Sequence, residues 1–299
     1  MKMQQVVLKN NKVAIKVNHH GAELRSIKNL ENGKEYLWDA NPEFWNRSSP
    51  VLFPFVGGVR DKVYRHEGIE YPMNQHGFAR DMDFELISQT EDEVWFSLDS
   101  TEDTYDVYPF HFRLEIGYRL EENTVVVMWR VKNTNDIKMY FSIGAHPAFF
   151  CPFYEGDKQS DYYMSFRKAD GTTPEKLCTT VFGQGGCVTT RETDYVLEKG
   201  ILPITEDRFD GDALVIENSQ VQRIALLDSK KKEYLAVEFN SPLVGIWSPP
   251  KKHAPFVCIE PWYGRCDSEI FEGELKDREW GNELESGQEF YAEYKIIAL

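Results

Sequence analysis

Asp83-Phe84-Glu85-Leu86-Ile87, Glu93-Val94-Trp95-Phe96-Ser97-Leu98, Phe112-Arg113-Leu114-Glu115-Ile116-Gly117-Tyr118 and Thr124-Val125-Val126-Val127-Met128-Trp129-Arg130-Val131 follow one another at roughly ten-residue spacing. Each run is short, rich in β-branched and aromatic residues, and free of helical periodicity. Such a rhythm signals antiparallel all-β architecture. Outward from this block the pattern continues. Val6-Val7-Leu8 and Val13-Ala14-Ile15-Lys16-Val17 flank the turn-favouring pair Asn10-Asn11, and Gly21 to Ile27 makes a third strand. Lys62 to Tyr71 reads as a hairpin turning around His66-Glu67-Gly68. Met139 to Pro147, Asp210 to Ile216, Arg223 to Leu227, Tyr234 to Phe239, Val244 to Trp247 and Gln288 to Ile297 extend the set. Roughly seventeen strands with almost no helix imply a large antiparallel β-sandwich, expected as a single domain over residues 1–299. Glu102 to Phe110 reads as a connecting segment, Cys151 to Arg191 as long loops with short strands, and Glu269 to Trp280 as a loop with one helical turn.

Composition narrows the function. An apolar fraction of 41% with 14% aromatic residues is ample for a large core, and no window approaches the roughly 18 apolar residues of a spanning helix. Forty-nine acidic against 34 basic residues give a net charge of −15, which argues against nucleic acid and anionic membrane as partners. Met1 to Asn11 lacks the apolar core and cleavage site of a signal peptide, so a cytoplasmic location is expected. Five cysteines, Cys151, Cys178, Cys187, Cys258 and Cys266, form no CxxC pair and read as reduced thiols. In that compartment the glycosylation-like Asn46-Arg47-Ser48 carries no meaning.

Three stretches carry chemistry. In Phe256-Val257-Cys258-Ile259-Glu260-Pro261-Trp262-Tyr263-Gly264 an apolar run brings one carboxylate to a proline. A proline cannot donate to a sheet ladder, which places Glu260 at the strand's last residue. Ser142-Ile143-Gly144-Ala145-His146-Pro147-Ala148 repeats that logic, and Gln75-His76-Gly77 sets a second histidine among small residues. Ser49 to Gly58, punctuated by Pro50 and Pro54, reads as a buried connection or an edge. His76, His146 and Glu260 suit three readings: general acid/base catalysis, a metal site of two histidines and a carboxylate, or core histidines and an edge glutamate with no shared role. The residues lie far apart in sequence, and spacing leaves all three open.

The segments Pro50-Val51-Leu52-Phe53-Pro54-Phe55-Val56-Gly57, Gln75-His76-Gly77-Phe78-Ala79-Arg80-Asp81, Gly144-Ala145-His146-Pro147-Ala148-Phe149 and Ile259-Glu260-Pro261-Trp262-Tyr263-Gly264-Arg265-Cys266-Asp267 resemble, in the same order, the aldose 1-epimerase (galactose mutarotase) family, and within it a LacX-like bacterial branch. The resemblance implies a galactose mutarotase-like β-supersandwich and an isomerase that interconverts the α and β anomers of a hexose or related aldose. It implies Glu260 as general base and His146 as general acid, with His76 hydrogen-bonding near the ring oxygen. It implies no cofactor and no metal, a small-molecule sugar as partner, and it allows a homodimer. Asp212, or else Asp210, matches a carboxylate that grips sugar hydroxyls, and Trp262 or Phe53 offers a stacking face. Where relatives often carry an arginine after the first glycine, this chain has Gly57-Gly58. Arg60 is then the nearest candidate for substrate contact, with Arg80 and Arg265 as alternatives inside matched motifs. A basic cluster would favour a hexose 6-phosphate over a neutral sugar. The competing function is a non-catalytic carbohydrate-binding or regulatory protein that has kept the cleft.

Overall fold

In the computed structural model, which describes residues 5–299, the four strands quoted first lie side by side. Glu85–Gln89, Glu93–Asp99, Phe112–Glu121 and Thr124–Asn133 are consecutive members of a nine-stranded antiparallel sheet. Period-2 alternation decides their faces. Leu114, Ile116 and Tyr118 join Val125, Val127, Trp129 and Val131 in the main core. The opposite face carries a small cluster of Trp95, Val126 and Met128. The first strand begins two residues later than its sequence suggests, because Asp83 forms an isolated bridge to His20 and Phe84 drops into the core.

The second large sheet has eight strands. It runs from Val188–Val196 through Lys176–Phe182, Leu214–Ile216, Leu243–Trp247 and Phe256–Tyr263 to Ile143–Ala145 and an edge at Val51–Leu52, with Ala148–Phe150 also paired to Phe256–Tyr263. Val244, Ile246, Val257 and Ile259 of this sheet share one core with Leu114, Ile116, Val127 and Ile296 of the other. The chain is thus a β-sandwich, as its strand rhythm implies. The proline-punctuated segment around Val51 is an edge, where a missing donor is harmless. A hairpin of Val63–His66 and Ile69–Pro72 turns where expected.

Two readings are corrected. The segment from Cys151 to Arg191 is more regular than its polar composition suggests, since Lys176–Phe182 and Val188–Val196 form a long edge hairpin. The strand carrying Glu260 does not stop at Pro261: it runs from Phe256 to Tyr263, and Pro261 pairs with Val244 inside the ladder. The ladder on the other side explains why. The Ile259 amide donates to the Pro147 carbonyl at 3.3 Å, so Pro261, two residues on, faces the same side. There it lies opposite Ala145, the last residue of the Ile143–Ala145 strand, where the ladder with that strand ends.

Helix is confined to short connections among the described residues. Glu102–Val107 is one such helix, started by a capping box in which Thr101 and Thr104 exchange side-chain hydrogen bonds with each other's amides. Leu275–Asp277 supplies the single turn expected between 269 and 280. No helix there is long and apolar enough to cross a membrane. The first four residues of the stretch read as lacking a signal peptide lie outside the described residues.

Candidate active site

Glu260 stands mid-strand on the face opposite the main core. Val257 and Ile259 point into that core, while Phe256, Cys258 and Trp262 share the face of Glu260. The glutamate is 1% exposed and its Oε2 has no hydrogen-bond partner. Burial raises its pKa well above the ordinary range, and the nearby charge of Asp212 adds to the shift; the Trp262 indole N–H opposes it. Trp262 lies between two glycines on adjacent strands. A Cβ at Gly245 would meet its ring at 2.4 Å, and one at Gly144 would meet it at 2.7 Å.

His146 follows the last residue of the Ile143–Ala145 strand and precedes Pro147, the position its sequence suggests. Its Nε2 lies 3.4 Å from Glu260 Oε2, and its Nδ1 has no hydrogen-bond partner. Two indoles enclose the ring: Trp45 at 4.8 Å and 32°, and Trp247 edge-on at 5.3 Å. Burial lowers the His146 pKa to about 3, with the positive charge of Arg80 acting in the same direction. In this buried setting the imidazole is therefore neutral.

His76 is held by its backbone as well as its ring. Its N–H donates to the Gly57 carbonyl at 2.8 Å, and the Gly57 N–H donates to His76 Nδ1 at 3.0 Å. With Nδ1 accepting, the neutral ring carries its proton on Nε2 and is a donor there. Burial above all, with the positive charge of Arg80 acting in the same direction, keeps its pKa well below the usual value. The turn that presents it needs left-handed backbone at His76 (φ +68°) and Gly77 (φ +69°), and a Cβ on Gly77 would sit 2.2 Å from the Phe53 carbonyl oxygen. The His76 ring meets that of His146 edge-to-face at 5.5 Å.

These groups line a cavity of about 410 Å³ together with Trp45, Arg47, Arg80, Asp212, Trp247 and Trp262. Arg80 donates to the Gln75 carbonyl, while its Nε has no hydrogen-bond partner. Arg47 pairs with Asp81 at 2.6 Å, and the Arg80 Nε is 3.7 Å from the same carboxylate. Two guanidinium groups thus share the Asp81 carboxylate, with Glu23 a further negative charge acting on Arg80. Burial and then Arg47 bring the Arg80 pKa down to about 10, still cationic at neutral pH. The loop holding Trp45 and Arg47 is anchored by buried Glu23, whose carboxylate accepts from the Ser48 and Ser49 amides at 2.7 and 3.0 Å. The Trp38 indole N–H donates to the Trp45 carbonyl.

Of the residues named from sequence, Glu260, His146, His76, Asp212 and Trp262 converge on this cavity. Arg60 does not. It lines a different cavity, donating to the Phe271 carbonyl and pairing with Glu272 and Asp61, because the chain turns away after Gly58. Arg265 is taken up by Glu217 and Glu279. Phe53 is fully buried in the core against Phe112, with no face to offer a ligand. Trp45, Arg47 and Trp247 are not recognisable as site residues in the sequence. The only available signal is the aromatic pair Phe44-Trp45 in a polar loop, next to the arginine of the glycosylation-like triplet. The metal reading also changes membership: the side chains close enough to share an ion are His146, Cys258 and Glu260, without His76.

The aldose 1-epimerase family profile matches residues 4–296. The protein LacX (plasmid form) of Lactococcus lactis subsp. lactis is 32% identical over 273 residues, covering 88% of this chain and 89% of that protein. A galactose mutarotase related enzyme from Lactobacillus acidophilus has the same fold with a TM-score of 0.92 at 32% identity, over 99% of this chain and 97% of its own. A galactose mutarotase-like protein from Lactobacillus casei superposes with a TM-score of 0.91 at 28% identity, over 99% and 100% of the two chains.

Proposed function

Because the chain belongs to the aldose 1-epimerase family, we propose that it interconverts the α and β anomers of a hexose or related aldose, with Glu260 as general base and His146 as general acid. The observation that carries this reading is the buried pair itself, Nε2 to Oε2 at 3.4 Å, each residue with an unpartnered polar atom at the cavity. Glu260 takes the proton of the C1 hydroxyl as C1 becomes a carbonyl carbon. The bond from C1 to the ring oxygen breaks, and His146 protonates that oxygen. After rotation about the C1–C2 bond the ring oxygen attacks the other face of C1 and returns its proton to His146. Glu260 then reprotonates O1, so nothing is consumed.

The proton count suits this cycle. Ionised Glu260 with protonated His146 contains the same number of protons as the neutral pair that burial favours, and the two forms differ by one transfer. Sugar hydroxyls brought between the two groups supply hydrogen bonds to polar atoms that have no partner within the protein. The His76 Nε2–H is a donor for oxygen as charge develops near the ring. Trp45, Trp247 and Trp262 supply apolar faces for the sugar, and Asp212 a carboxylate for its hydroxyls.

A second reading concerns the substrate. Arg47 and Arg80 both pair with Asp81, and Arg80 Nε makes no hydrogen bond, which favours a sugar carrying an anionic group such as a 6-phosphate. The test is polarimetry or NMR exchange on freshly dissolved α-glucose, α-galactose and their 6-phosphates. Acceleration of anomer exchange is the expected result. Calorimetric binding without acceleration on any of the four would instead identify a non-catalytic sugar-binding protein.

A further inference from the structure

Cys258 lies two residues before Glu260 on the same face of the strand. Its thiol sulfur, a ring nitrogen of His146 and a carboxylate oxygen of Glu260 all fall within 4.8 Å of one another, and all three side chains are buried. The sugar reaction as derived gives this cysteine no task. We infer that Cys258, His146 and Glu260 form an inhibitory binding site for a single borderline-soft divalent cation of the zinc or cadmium class, which competes with sugar for the acid/base pair.

The geometry is close to what such an ion requires. Ligands about 2.1 Å from a tetrahedral centre are separated by about 3.4 Å, and His146 Nε2 and Glu260 Oε2 stand 3.4 Å apart. That distance leaves Glu260 Oε2 without a hydrogen-bond partner but matches one edge of a coordination tetrahedron. The sulfur, within 4.8 Å of both, takes its place by an approach of at most about 1 Å. The donor set of one nitrogen, one thiolate sulfur and one carboxylate oxygen is that of borderline-soft ions and disfavours magnesium and calcium. Charge also balances. A thiolate and a carboxylate cancel a divalent cation, so the occupied site is neutral, as three buried ligands demand. The aqua ion loses waters, the protons of the thiol and of any protonated Glu260 pass to solvent, and the fourth position remains for one water. A pocket so occupied has neither its base nor its acid free.

The test uses the whole chain and the metal ion alone. Titration with Cd²⁺ should produce the ultraviolet thiolate-to-cadmium band at one equivalent in the wild type and not in Cys258→Ala or Cys258→Ser. Circular dichroism would verify that each variant is folded. Glu260→Gln keeps the thiol and should weaken Cd²⁺ by at least the roughly 10- to 100-fold that even an outer partner of a metal site contributes. Zn²⁺ should inhibit wild-type anomer exchange competitively with sugar. The inhibition constant should rise tenfold or more in the Cys258 variants, each compared with its own metal-free rate. Absence of the band in the wild type, or its survival in both Cys258 variants through another cysteine, would overturn the inference. If neither Cys258 variant folds, unchanged Cd²⁺ affinity in Glu260→Gln overturns it. The absorbance readout is independent of activity, so ion binding is measured even if the chain acts on none of the sugars.

Discussion

Replacing Glu260 with glutamine separates what the carboxylate does for the reaction from what it costs the fold. Glutamine has nearly the same shape, so the cavity and the indole of Trp262 stay in place, but it cannot take the C1 hydroxyl proton. A positioned general base contributes roughly 10²- to 10⁴-fold, or about 2.7 to 5.4 kcal/mol of barrier. Activity should fall by that factor, in kcat more than in KM, because glutamine still binds hydroxyls. Stability should move the other way. In the unfolded chain a glutamate titrates near about 4.3, whereas burial and Asp212 raise the pKa of folded Glu260 well above that. The folded state therefore holds a proton that the unfolded state releases. Its penalty is absent below about pH 4.3 and grows by about 1.4 kcal/mol per pH unit until the folded pKa is reached. The ceiling at pH 7 is about 3.7 kcal/mol. Glutamine carries no such penalty. The variant and the wild type should melt together near pH 4, and the variant should pull ahead toward pH 7, by about 2 °C per kcal/mol for a chain of this length. Thermal melts at three pH values and polarimetry on the same samples measure both effects. Activity within tenfold of wild type would remove Glu260 as the base, and a melting difference that does not change with pH would refute the desolvation argument.

Further outcomes follow from the supports of the site. Gly77→Ala places a Cβ 2.2 Å from the Phe53 carbonyl oxygen at a left-handed φ. It should cost about 1–3 kcal/mol in urea unfolding and raise KM as His76 shifts; an unchanged midpoint would show that the turn has room to give. Glu23→Ala removes the acceptor of two buried amides, about 1–3 kcal/mol for each. Because it loosens the loop of Trp45 and Arg47, KM should rise more than kcat falls, and equal loss in both would argue against that route. Arg80→Met should lower kcat/KM for 6-phosphorylated aldoses by roughly 10- to 150-fold, the worth of one charge-assisted hydrogen bond, while sparing free aldoses. An equal drop on both substrates would refute the anionic reading.

The fold is open to sequence reading where alternation is strict. Val125 to Val131 and Leu114 to Tyr118 announce their buried faces because one side of their sheet packs on the core. Residues 176 to 196 hide a hairpin, because an edge pair exposed along most of Thr190 to Val196 needs little apolar content. Local motifs point to the proposed base and acid, yet Glu260 is not positioned by a strand ending at Pro261, as its sequence suggests. A proline is tolerated within a ladder where the pairing on its N–H side comes to an end, and where a neighbouring strand ends is a long-range fact that no local pattern records. Arg60 misleads for a similar reason: closeness in sequence to Gly57 does not survive the turn after Gly58. Trp45 and Arg47 reach the cavity from one loop and Trp247 from a strand much later in the chain, so their convergence is a product of the assembled sandwich.

The slot that Gly144 and Gly245 open for Trp262 ties the cavity floor to the sheet itself. Floor and base are set by strand register, and the acid sits in a two-residue link between two strands that pair with the strand of the base, so none can shift without moving a neighbour across the ladder. The walls are different, since Trp45, Arg47 and Asp212 come from loops outside the named strands. Sequence change can therefore explore new sugars by rebuilding the walls while the proton-transfer geometry is inherited intact. A library confined to residues 42–50 and 209–213 should yield altered sugar preference far more often than lost chemistry.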